Sequence, residues 1–287
     1  MDRIIDGKAV AARVKEEIKN KIEERGIKPV LAVILVGDDP ASTVYVNNKK
    51  KACEFCGIGS KSYELPSETT EEELLKLIDR LNKDKEINGI LVQLPVPKHI
   101  DPDKVIEAIS PTKDVDGFST QSAGALMVGK KGFVPCTPAG VIELLHSYNV
   151  EISGKNCVVM GRSNIVGKPM AMLMLRENAT VTVTHTKTKD IKEITKRADI
   201  LIAAVGKPRM IDQSYIKDGA VIIDVGIHRL DPAENNGKKL CGDVDYDSVY
   251  DKASLITPVP GGVGPMTIAM LMKNTLSAYD MQNKSQG

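Results

Sequence analysis

The chain has 287 residues, of which 42% are hydrophobic and 27% are charged, and its formal net charge is +1. This balance is typical of a globular protein, and the length predicts two domains. With 39 Lys and Arg against 38 Asp and Glu, the overall charge provides no general attraction to nucleic acid or to membranes, although a local basic patch is compatible with it.

The N-terminal segment 1–20 mixes acidic and basic residues and lacks an uninterrupted apolar core. We therefore expect a structural helix there rather than a secretory or transit peptide. No stretch approaches the roughly 18 consecutive apolar residues of a membrane span. The five cysteines are scattered and odd in number, which argues against a disulfide framework. We expect a cytoplasmic protein with neither a membrane nor a nucleic acid as its partner.

Two cysteines, Cys53 and Cys56, form a C-x-x-C pair of the kind used in redox or zinc chemistry. They lie inside a helical pattern, and no second pair at metal-binding spacing accompanies them, so buried helix cysteines are the preferred interpretation. The four histidines are far apart and show no H-E-x-x-H spacing. The sequence therefore predicts no metal site.

The first half of the chain alternates predicted strands with predicted helices. A continuous apolar run indicates that the first strand is buried on both faces. Asp39 is a suitable N-cap for the helix that follows, Gly57 is a suitable stop, and Thr70 and Glu73 are spaced as a capping box. The predicted elements are strand 29–37, helix 40–56, strand 61–66, helix 70–84, strand 87–95 and helix 101–109.

The second half alternates in the same way after a turn-rich stretch at 111–132. Such alternation favours parallel sheets with right-handed crossovers. The predicted elements are connecting helix 137–150, strand 156–161, helix 167–175, strand 179–185, helix 190–198, strand 199–206, a short helical piece, strand 220–226 and last helix 265–280. We predict a two-domain α/β protein with a cleft between the domains: an α/β domain of 1–136 and 265–287, and a Rossmann-like parallel-sheet domain of 137–264.

The loop from Gly161 to Gly167 is the strongest local indication of chemistry. It follows a predicted strand and opens a predicted helix, as the G-x-G-x-x-G/A loop of dinucleotide-binding folds does. Backbone amides at the start of that helix suit a pyrophosphate. Two departures stand out, because Ser163 occupies the place of the middle glycine and Gly167 comes one residue late. An ordinary glycine-rich turn is the alternative.

The end of the next strand bears on the choice of nicotinamide cofactor. A NAD site carries an acidic side chain about 20 residues after the loop, where it holds the ribose hydroxyls. Here the strand ends in THTK at 184–187, and no carboxylate occurs before Asp190. Arg162 and Lys187 offer positive charge to a 2′-phosphate instead. The pattern favours NADP over NAD, with simple solvation of both cations as the alternative.

The stretch TVYVNNKKKACEF at 43–55 places Tyr45 one helical turn before three consecutive lysines. Because a helix turns about 100° per residue, Lys49 shares the face of Tyr45, whereas Lys50 and Lys51 point progressively away from it. A lysine that transfers protons has to lose its charge near neutral pH, which burial and neighbouring cations both favour. Lys49 is therefore the candidate for chemistry, and a solvated lysine face is the alternative.

Seven motifs follow one another along almost the whole chain: YVNNKKKAC, GILVQLPVP, PTKDVDGF, PCTPAG, VVMGRSNIVGKPM, IDVGI and TPVPGGVGPMT. In this order they resemble the bifunctional methylenetetrahydrofolate dehydrogenase/methenyltetrahydrofolate cyclohydrolase family. The serine of the dinucleotide loop is similar to the GRS variant of that family. Tyr45 and Lys49 likewise match its Y-x-x-x-K pattern.

The resemblance implies four catalytic residues. Lys49 resembles the catalytic lysine, Tyr45 the residue that stacks on the folate ring system, and Gln93 the partner that holds the lysine. Asp116, the second acid of KDVDG, is similar to the carboxylate that recognises the pterin, and an Asx turn before Gly117 is its structural alternative. The implied folate-binding residues are Tyr45, Lys49, Val92, Gln93, Leu94, Asp116, Pro260, Gly261, Gly262, Val263 and Gly264.

The resemblance also implies a cofactor site. Thr186 stands where some family members have serine, and its hydroxyl keeps NADP as the expected cofactor. The glycines of the PGGVG motif would also form a tight turn before the last helix, and such a turn is compatible with folate binding. The implied cofactor-binding residues are Thr137, Gly161, Arg162, Ser163, Ile165, Thr186, Ile227 and Thr267.

The implied function is bifunctional: oxidation of 5,10-methylenetetrahydrofolate to the methenyl form with NADP+, then hydrolysis to 10-formyltetrahydrofolate, in one-carbon metabolism. The first domain would bind tetrahydrofolate derivatives, the second NADP, and the family implies a homodimer. Two alternatives stay open. One is a related α/β oxidoreductase such as an amino-acid or shikimate dehydrogenase, which the KDVDG and PGGVGP motifs disfavour. The other is a catalytically silent nucleotide- or folate-binding module, which retention of Lys49, Gln93 and Asp116 disfavours.

Overall fold

A computed structural model describes residues 3–231, 233 and 239–284. The chain forms two compact units. The first unit comprises Ala12–Cys136 and Ile268–Gly287, and the second comprises Met1–Ala11 and Thr137–Thr267. Residues 1, 2 and 285–287 of the predicted first domain lie outside the described residues. Within the described ranges, no helix combines the length and the apolar character needed to cross a membrane.

The first unit is built on a three-stranded parallel sheet. Its strands are β1 (Val30–Val36), β2 (Gly59–Leu65) and β3 (Gly89–Val92), in the order β2-β1-β3. The central strand β1 is a run of valine, leucine, alanine and isoleucine whose last six residues are buried. The helices that belong wholly or mostly to this unit are α1 (Gly7–Arg25), α2 (Pro40–Cys56), α3 (Glu71–Lys83), α4 (Pro102–Ala108), α5 (Thr120–Met127) and α10 (Val263–Lys284).

Local hydrogen bonds fix the ends of α2 and α3. The side chain of Asp39 accepts from the Ser42 amide at 2.7 Å, and Gly57 ends α2 with a φ of +75°. At α3, Thr70 Oγ1 accepts from the Glu73 amide while Glu73 Oε2 accepts from the Thr70 amide. The predicted N-cap, glycine stop and capping box are confirmed, so the start of each helix is set by its own sequence.

The apolar face of α3 packs on the sheet of the first unit. Leu74, Ile78 and Leu81 are buried in a cluster that includes Ile34 of β1 and Ile90 of β3. Full burial of one such side chain contributes about 1.5–3 kcal/mol. This cluster supports the sheet from one face and holds the end of β3 in place.

The second unit is built on a five-stranded parallel sheet in the order β10-β7-β6-β4-β5. Because all five strands are parallel, the loops after β4, β5, β6 and β7 all leave the sheet at the carboxyl ends of the strands. We call this end of the sheet the loop edge. The strands of this unit are β4 (Asn156–Met160), β5 (Thr180–Thr184), β6 (Ile200–Ala203), β7 (Val221–Asp224), the antiparallel pair β8 (His228–Arg229) and β9 (Leu240–Cys241), and β10 (Leu255–Ile256). Its helices are α6 (Cys136–Ser147), α7 (Gly167–Arg176), α8 (Ile191–Thr195), a 3₁₀ helix (Gln213–Tyr215) and α9 (Tyr246–Val249).

The predicted α/β fold with parallel sheets is confirmed, but several short elements were not predicted. Helix α5 lies in the stretch that was assigned to turns, since its TQSAGALM sequence contains serine and glycine. Strands β8, β9 and β10 have two residues each, which is too short for an alternation of polar and apolar residues to be visible. Helix α9 is a single turn.

The cysteines are buried and unreactive. All five are free, and burial raises the pKa of Cys53 to about 12 and that of Cys56 to about 11. Since the thiolate is the nucleophile and the metal ligand, these two thiols are inert at neutral pH. Their interpretation as buried helix cysteines is confirmed. In the part of the chain that the structure describes, no group of three or more His, Cys, Asp or Glu is placed to hold a metal ion.

Candidate active site

The candidate active site is arranged around Lys49 on α2. Its amine donates to Gln93 Oε1 at 2.8 Å, and Gln93 Nε2 donates to the Leu94 carbonyl oxygen at 2.7 Å, which orients the amide. Lys49 is only 9% exposed, whereas Lys50 forms an ion pair with Glu64 at 3.1 Å near the surface. The helix thus separates one buried lysine from its neighbours, as the spacing predicted.

Burial changes the protonation of Lys49. It lowers the pKa of the amine below the ordinary lysine value, because a buried ammonium loses its hydration. The carboxylate of Asp116 acts in the opposite direction and raises that pKa. Burial, rather than the charge of the neighbouring lysines, is therefore the main cause of the lowered value.

Asp116 lies in the KDVDG turn and is half-buried. Burial raises the pKa of its carboxyl to about 6, the Lys49 charge opposes this shift, and the Asp114 charge adds to it. Asp116 and Lys49 thus lie within electrostatic range of each other, and burial shifts both of them towards their neutral forms. The structure thus brings together three of the four residues predicted to be catalytic, Lys49, Gln93 and Asp116, and their catalytic roles stay a prediction.

The KDVDG turn is held by the first acid, Asp114, which is 1% exposed. Its carboxylate accepts from the Gly117 amide at 3.1 Å, the Ser119 amide at 3.0 Å and Ser122 Oγ at 2.7 Å. Gly117 has a φ of +71°, which favours glycine. The Asx-type bond that was considered for Asp116 is therefore made by Asp114, and the turn does not depend on the Asp116 carboxylate.

Two further side chains next to this turn were not predicted. The Cys136 thiol donates to the Val115 carbonyl oxygen at 3.4 Å. Asn274 of α10 donates to the same oxygen at 2.8 Å and to the Val134 carbonyl oxygen at 3.0 Å. Asn274 thus ties the residue before Asp116 to the last helix. A lone asparagine in a helical pattern gives no sequence signal for such a role.

The remaining predicted folate residues of the first unit lie near the same strand and helix. Tyr45 is 39% exposed and precedes Lys49 by one turn of α2, so its ring is accessible. Val92 ends β3 and is buried, and Leu94 is half-buried two residues later. Gln93 directly follows β3, so the end of this strand places its amide next to the amine of Lys49.

The predicted folate loop 260–264 lies in the second unit, where it follows β10 and includes the first two residues of α10. The Gly262 amide donates to the Pro258 carbonyl oxygen at 2.8 Å, and Gly261 has a φ of +113°. A Cβ at Gly7 would lie 1.8 Å from the Gly262 carbonyl oxygen, so the loop packs closely on the start of α1. The two ends of the loop are exposed and its middle three residues are buried. The tight turn before the last helix is confirmed, and folate binding by this loop stays a prediction.

Close packing explains the glycines of the dinucleotide loop. Gly161 has a φ of +131°, and a Cβ there would lie 2.2 Å from the Ala204 carbonyl oxygen. A Cβ at Gly167 would lie 2.3 Å from the Gly161 carbonyl oxygen. Ser163 Oγ accepts from the amides of Val166 at 3.2 Å and Gly167 at 3.3 Å. The serine that replaces the middle glycine therefore binds the first amides of α7.

The loop edge of the second unit gathers most of the predicted cofactor residues. Gly161, Arg162, Ser163 and Ile165 follow β4, Thr186 follows β5, and Ile227 follows β7. Ile165 and Ile227 are 39% and 47% exposed, so both side chains are accessible to a ligand. Thr137 and Thr267, on α6 and α10, hydrogen-bond to each other at 2.9 Å. The glycine packing and the cationic end of β5, which lacks a carboxylate, fit a phosphorylated dinucleotide.

Two family models match the chain. The model of the tetrahydrofolate dehydrogenase/cyclohydrolase catalytic domain matches residues 5–116, and the model of the NAD(P)-binding domain of the same enzymes matches residues 135–283. The chain belongs to the tetrahydrofolate dehydrogenase/cyclohydrolase family. The family resemblance of the seven motifs is thereby confirmed.

Relatives of this family align with nearly the whole chain. Bifunctional protein FolD of Agathobacter rectalis is 66% identical over 281 residues, which cover 97% of this chain and 99% of that protein. The crystal structure of the bifunctional enzyme FolD from Campylobacter jejuni has a TM-score of 0.92 at 50% identity and covers 97% of this chain and 98% of its own. FolD from Trypanosoma brucei, solved with NADP cofactor and inhibitor, has a TM-score of 0.91 at 41% identity and covers 97% of each chain.

Membership in the tetrahydrofolate dehydrogenase/cyclohydrolase family decides between the alternatives that the sequence left open. The chain is an enzyme with a dehydrogenase and a cyclohydrolase activity, rather than a silent binding module. It is also not an amino-acid or shikimate dehydrogenase, because both family models describe tetrahydrofolate enzymes.

Proposed function

We propose that this enzyme oxidises 5,10-methylenetetrahydrofolate with NADP+ and then hydrolyses the methenyl product to 10-formyltetrahydrofolate, with Lys49 transferring the protons of the second step. The observation that carries the proposal is the buried Lys49 amine, held at 2.8 Å by the neutral Gln93 amide and within range of Asp116. In this proposal the domain of 1–136 and 265–287 binds folate, and that of 137–264 binds NADP.

Asp116 and Tyr45 would hold the pterin. An ionised carboxylate is an acceptor only, which suits the amino and ring N–H donors of a pterin. The exposed ring of Tyr45 offers a flat apolar surface for stacking. Since Tyr45 precedes Lys49 by one turn of α2, stacking on its ring would bring the one-carbon bridge towards the amine.

Lys49 would manage the protons of the hydrolysis. Water adds to the cationic methenyl carbon and loses a proton, the adjacent ring nitrogen gains one, and the bond between that carbon and nitrogen breaks while the remaining hydroxyl proton is released to solvent, which leaves the formyl group. An unprotonated amine accepts the first proton and, as an ammonium, donates to the departing nitrogen. Gln93 orients the amine without the ion pairing that would keep it protonated.

The oxidation requires positioning rather than acid or base catalysis. Bound NADP+ supplies the acceptor for the hydride that leaves the one-carbon bridge. The exposed side chains of Arg162, Thr186 and Lys187 would hold its phosphates. The NADP-bound relative from Trypanosoma brucei supports this choice of cofactor.

The proposal includes a homodimer in the cytoplasm. Strand β5 lies at the edge of the five-stranded sheet, and its TVTVT sequence carries no charge. Val183 on β5 and Leu175 on α7 are 40% and 56% exposed. An uncharged edge strand is suited to pairing with the same strand of a second copy. The five free cysteines are compatible with a reducing compartment.

One assay tests the proposed function. The enzyme is given methylenetetrahydrofolate with NADP+ or NAD+, and the reduced nicotinamide and the methenyl chromophore are followed separately. We expect reduction with a higher kcat/KM for NADP+ than for NAD+, and methenyl decay faster than the spontaneous rate. Absence of either activity refutes that half of the proposal, and a preference for NAD+ refutes the choice of cofactor.

A further inference from the structure

A buried carboxylate, Asp243, lies behind the loop edge of the second unit and has no role in the function proposed above. It follows β9 and is fully buried. Its Oδ2 accepts from the amides of Val205 at 2.6 Å and Gly206 at 3.0 Å. Its Oδ1 accepts from the Lys207 amide at 3.1 Å and lies 2.7 Å from His228 Nε2. One side chain thus joins the loop after β6 to strand β8.

A second buried carboxylate, Asp224, supports the first. Asp224 ends β7, and its Oδ1 accepts from the amides of Gly226 at 2.9 Å and Asp243 at 3.0 Å. Its Oδ2 accepts from the Val244 amide at 2.9 Å. A Cβ at Gly242 would lie 1.9 Å from Asp224 Oδ2, so the chain after β9 packs directly against this carboxylate. The backbone of Asp243 is therefore fixed as well as its side chain.

Ile227 lies between the two anchors. The amide of Gly226, on one side, is bound by Asp224, and the ring of His228, on the other side, is bound by Asp243. The side chain of Ile227 is nevertheless 47% exposed. An exposed apolar side chain on an immobilised backbone is what a preorganised ligand contact requires, because little flexibility is lost on binding.

The loops that Asp243 joins lie where a dinucleotide binds. Residues 205–207 follow β6 and residues 226–228 follow β7, and these two strands are neighbours in the sheet. In open parallel sheets, nucleotides bind outside the carboxyl ends of the strands. Asp243 therefore fixes two adjacent loops at the carboxyl ends of the strands, where the cofactor is expected to bind.

We propose that Asp243 is a positioning residue for the nicotinamide cofactor, which holds the backbone at 205–207 and the ring of His228 so that Ile227 is presented to the dinucleotide. This inference rests on the proposed function. Three backbone amides donate to Asp243 and the His228 ring lies within hydrogen-bonding distance of it, so one carboxyl group joins all four. Because hydride transfer needs the cofactor and hydrolysis does not, the inference predicts unequal effects on the two activities.

The test is Asp243→Asn, which replaces one carboxylate oxygen by an NH2 group. This group would face a backbone N–H that has lost its acceptor. We expect the KM for NADP+ to rise about tenfold, equivalent to ~1.4 kcal/mol, while cyclohydrolase turnover on methenyltetrahydrofolate stays within about twofold of the wild type. Asp199→Asn is the matched control. Asp199 lies at the opposite end of β6, where it accepts from the Asn156 amide at 2.8 Å and pairs with Lys217. This variant should leave the KM for NADP+ unchanged.

A second variant decides the question if Asp243→Asn does not fold. His228→Ala removes one of the four contacts and leaves the three amides bound, and we expect a rise of about threefold in the KM for NADP+. An unchanged KM in the folded variants, or an equal loss of both activities, overturns the inference. A wild-type enzyme without NADP+-dependent oxidation would instead refute the proposed function, so the two failures are distinguishable.

Discussion

At the residue scale, burial distinguishes Lys49 from the two lysines that follow it. Lys50 forms an ion pair with Glu64 near the surface, whereas the Lys49 amine is buried and donates to the neutral amide of Gln93. Burial and Asp116 act on the pKa of Lys49 in opposite directions, and burial is the larger effect. The amine therefore gives up its proton more easily than a surface lysine, which proton transfer near neutral pH requires.

If Asp116 holds the pterin as proposed, its raised pKa predicts that folate binding depends on pH. Above its pKa of about 6 the carboxyl is ionised and accepts hydrogen bonds, and below that value it is protonated and loses this capacity. We expect the affinity for a non-reacting folate analogue, measured by calorimetry between about pH 5 and about pH 8, to fall as the pH drops through about 6.

Asp116→Asn is the control for this dependence, since an amide does not titrate in this range. The variant should bind the analogue weakly, and its affinity should not change with pH across the same range. Equal affinity of the wild-type enzyme at both ends of the range would contradict the role of Asp116.

The sequence predicted which residues lie close together better than it predicted the contacts that each of them makes. The four-residue spacing of Tyr45 and Lys49 identifies the lysine because helix geometry alone puts the two on one face. The KDVDG motif, in contrast, offers two acids close to one glycine. Only the fold shows that Asp114 binds the amides of the turn while Asp116 lies near the lysine.

At the element scale, the predictions succeeded where the determinants are local. The cap at Asp39, the glycine stop at Gly57 and the capping box at Thr70 each depend on residues within one turn of the helix end. The buried strand β1 is visible because both of its faces are covered, which produces a continuous apolar run.

The short strands that were not predicted depend on partners elsewhere in the chain. Strand β10 pairs with β7, more than thirty residues earlier in the chain, and β8 pairs with β9 across a long connection. Two-residue strands carry no pattern of their own, so the partner decides that they form. The network of Asp243 is hidden for the same reason, since Val205 and Asp243 are 38 residues apart in sequence.

At the scale of the whole molecule, the exposed edge strand β5 predicts a homodimer that a single charge disrupts. Val183→Lys places an ammonium on this strand, and a desolvated charge opposes strand pairing. We expect the wild-type enzyme to be a dimer and this variant to be a monomer in size-exclusion chromatography with light scattering.

Val44→Lys provides the matched control, because Val44 is also an exposed valine, at 51%, but lies on α2 of the first unit. This variant should remain dimeric. A monomeric wild-type enzyme, or a Val183→Lys variant that stays dimeric, would contradict pairing through β5.

The central claim is that the Lys49 amine carries the protons of the hydrolysis, and the cyclohydrolase rate of Lys49→Met tests it most directly. Methionine fills similar space without a buried charge, so the fold should be retained with a cooperative thermal transition. We expect methenyltetrahydrofolate hydrolysis to fall by at least about 100-fold, while Lys50→Met, at the half-buried neighbour that pairs with Glu64, stays within about twofold of the wild type. A folded Lys49→Met enzyme with normal cyclohydrolase turnover would contradict the account.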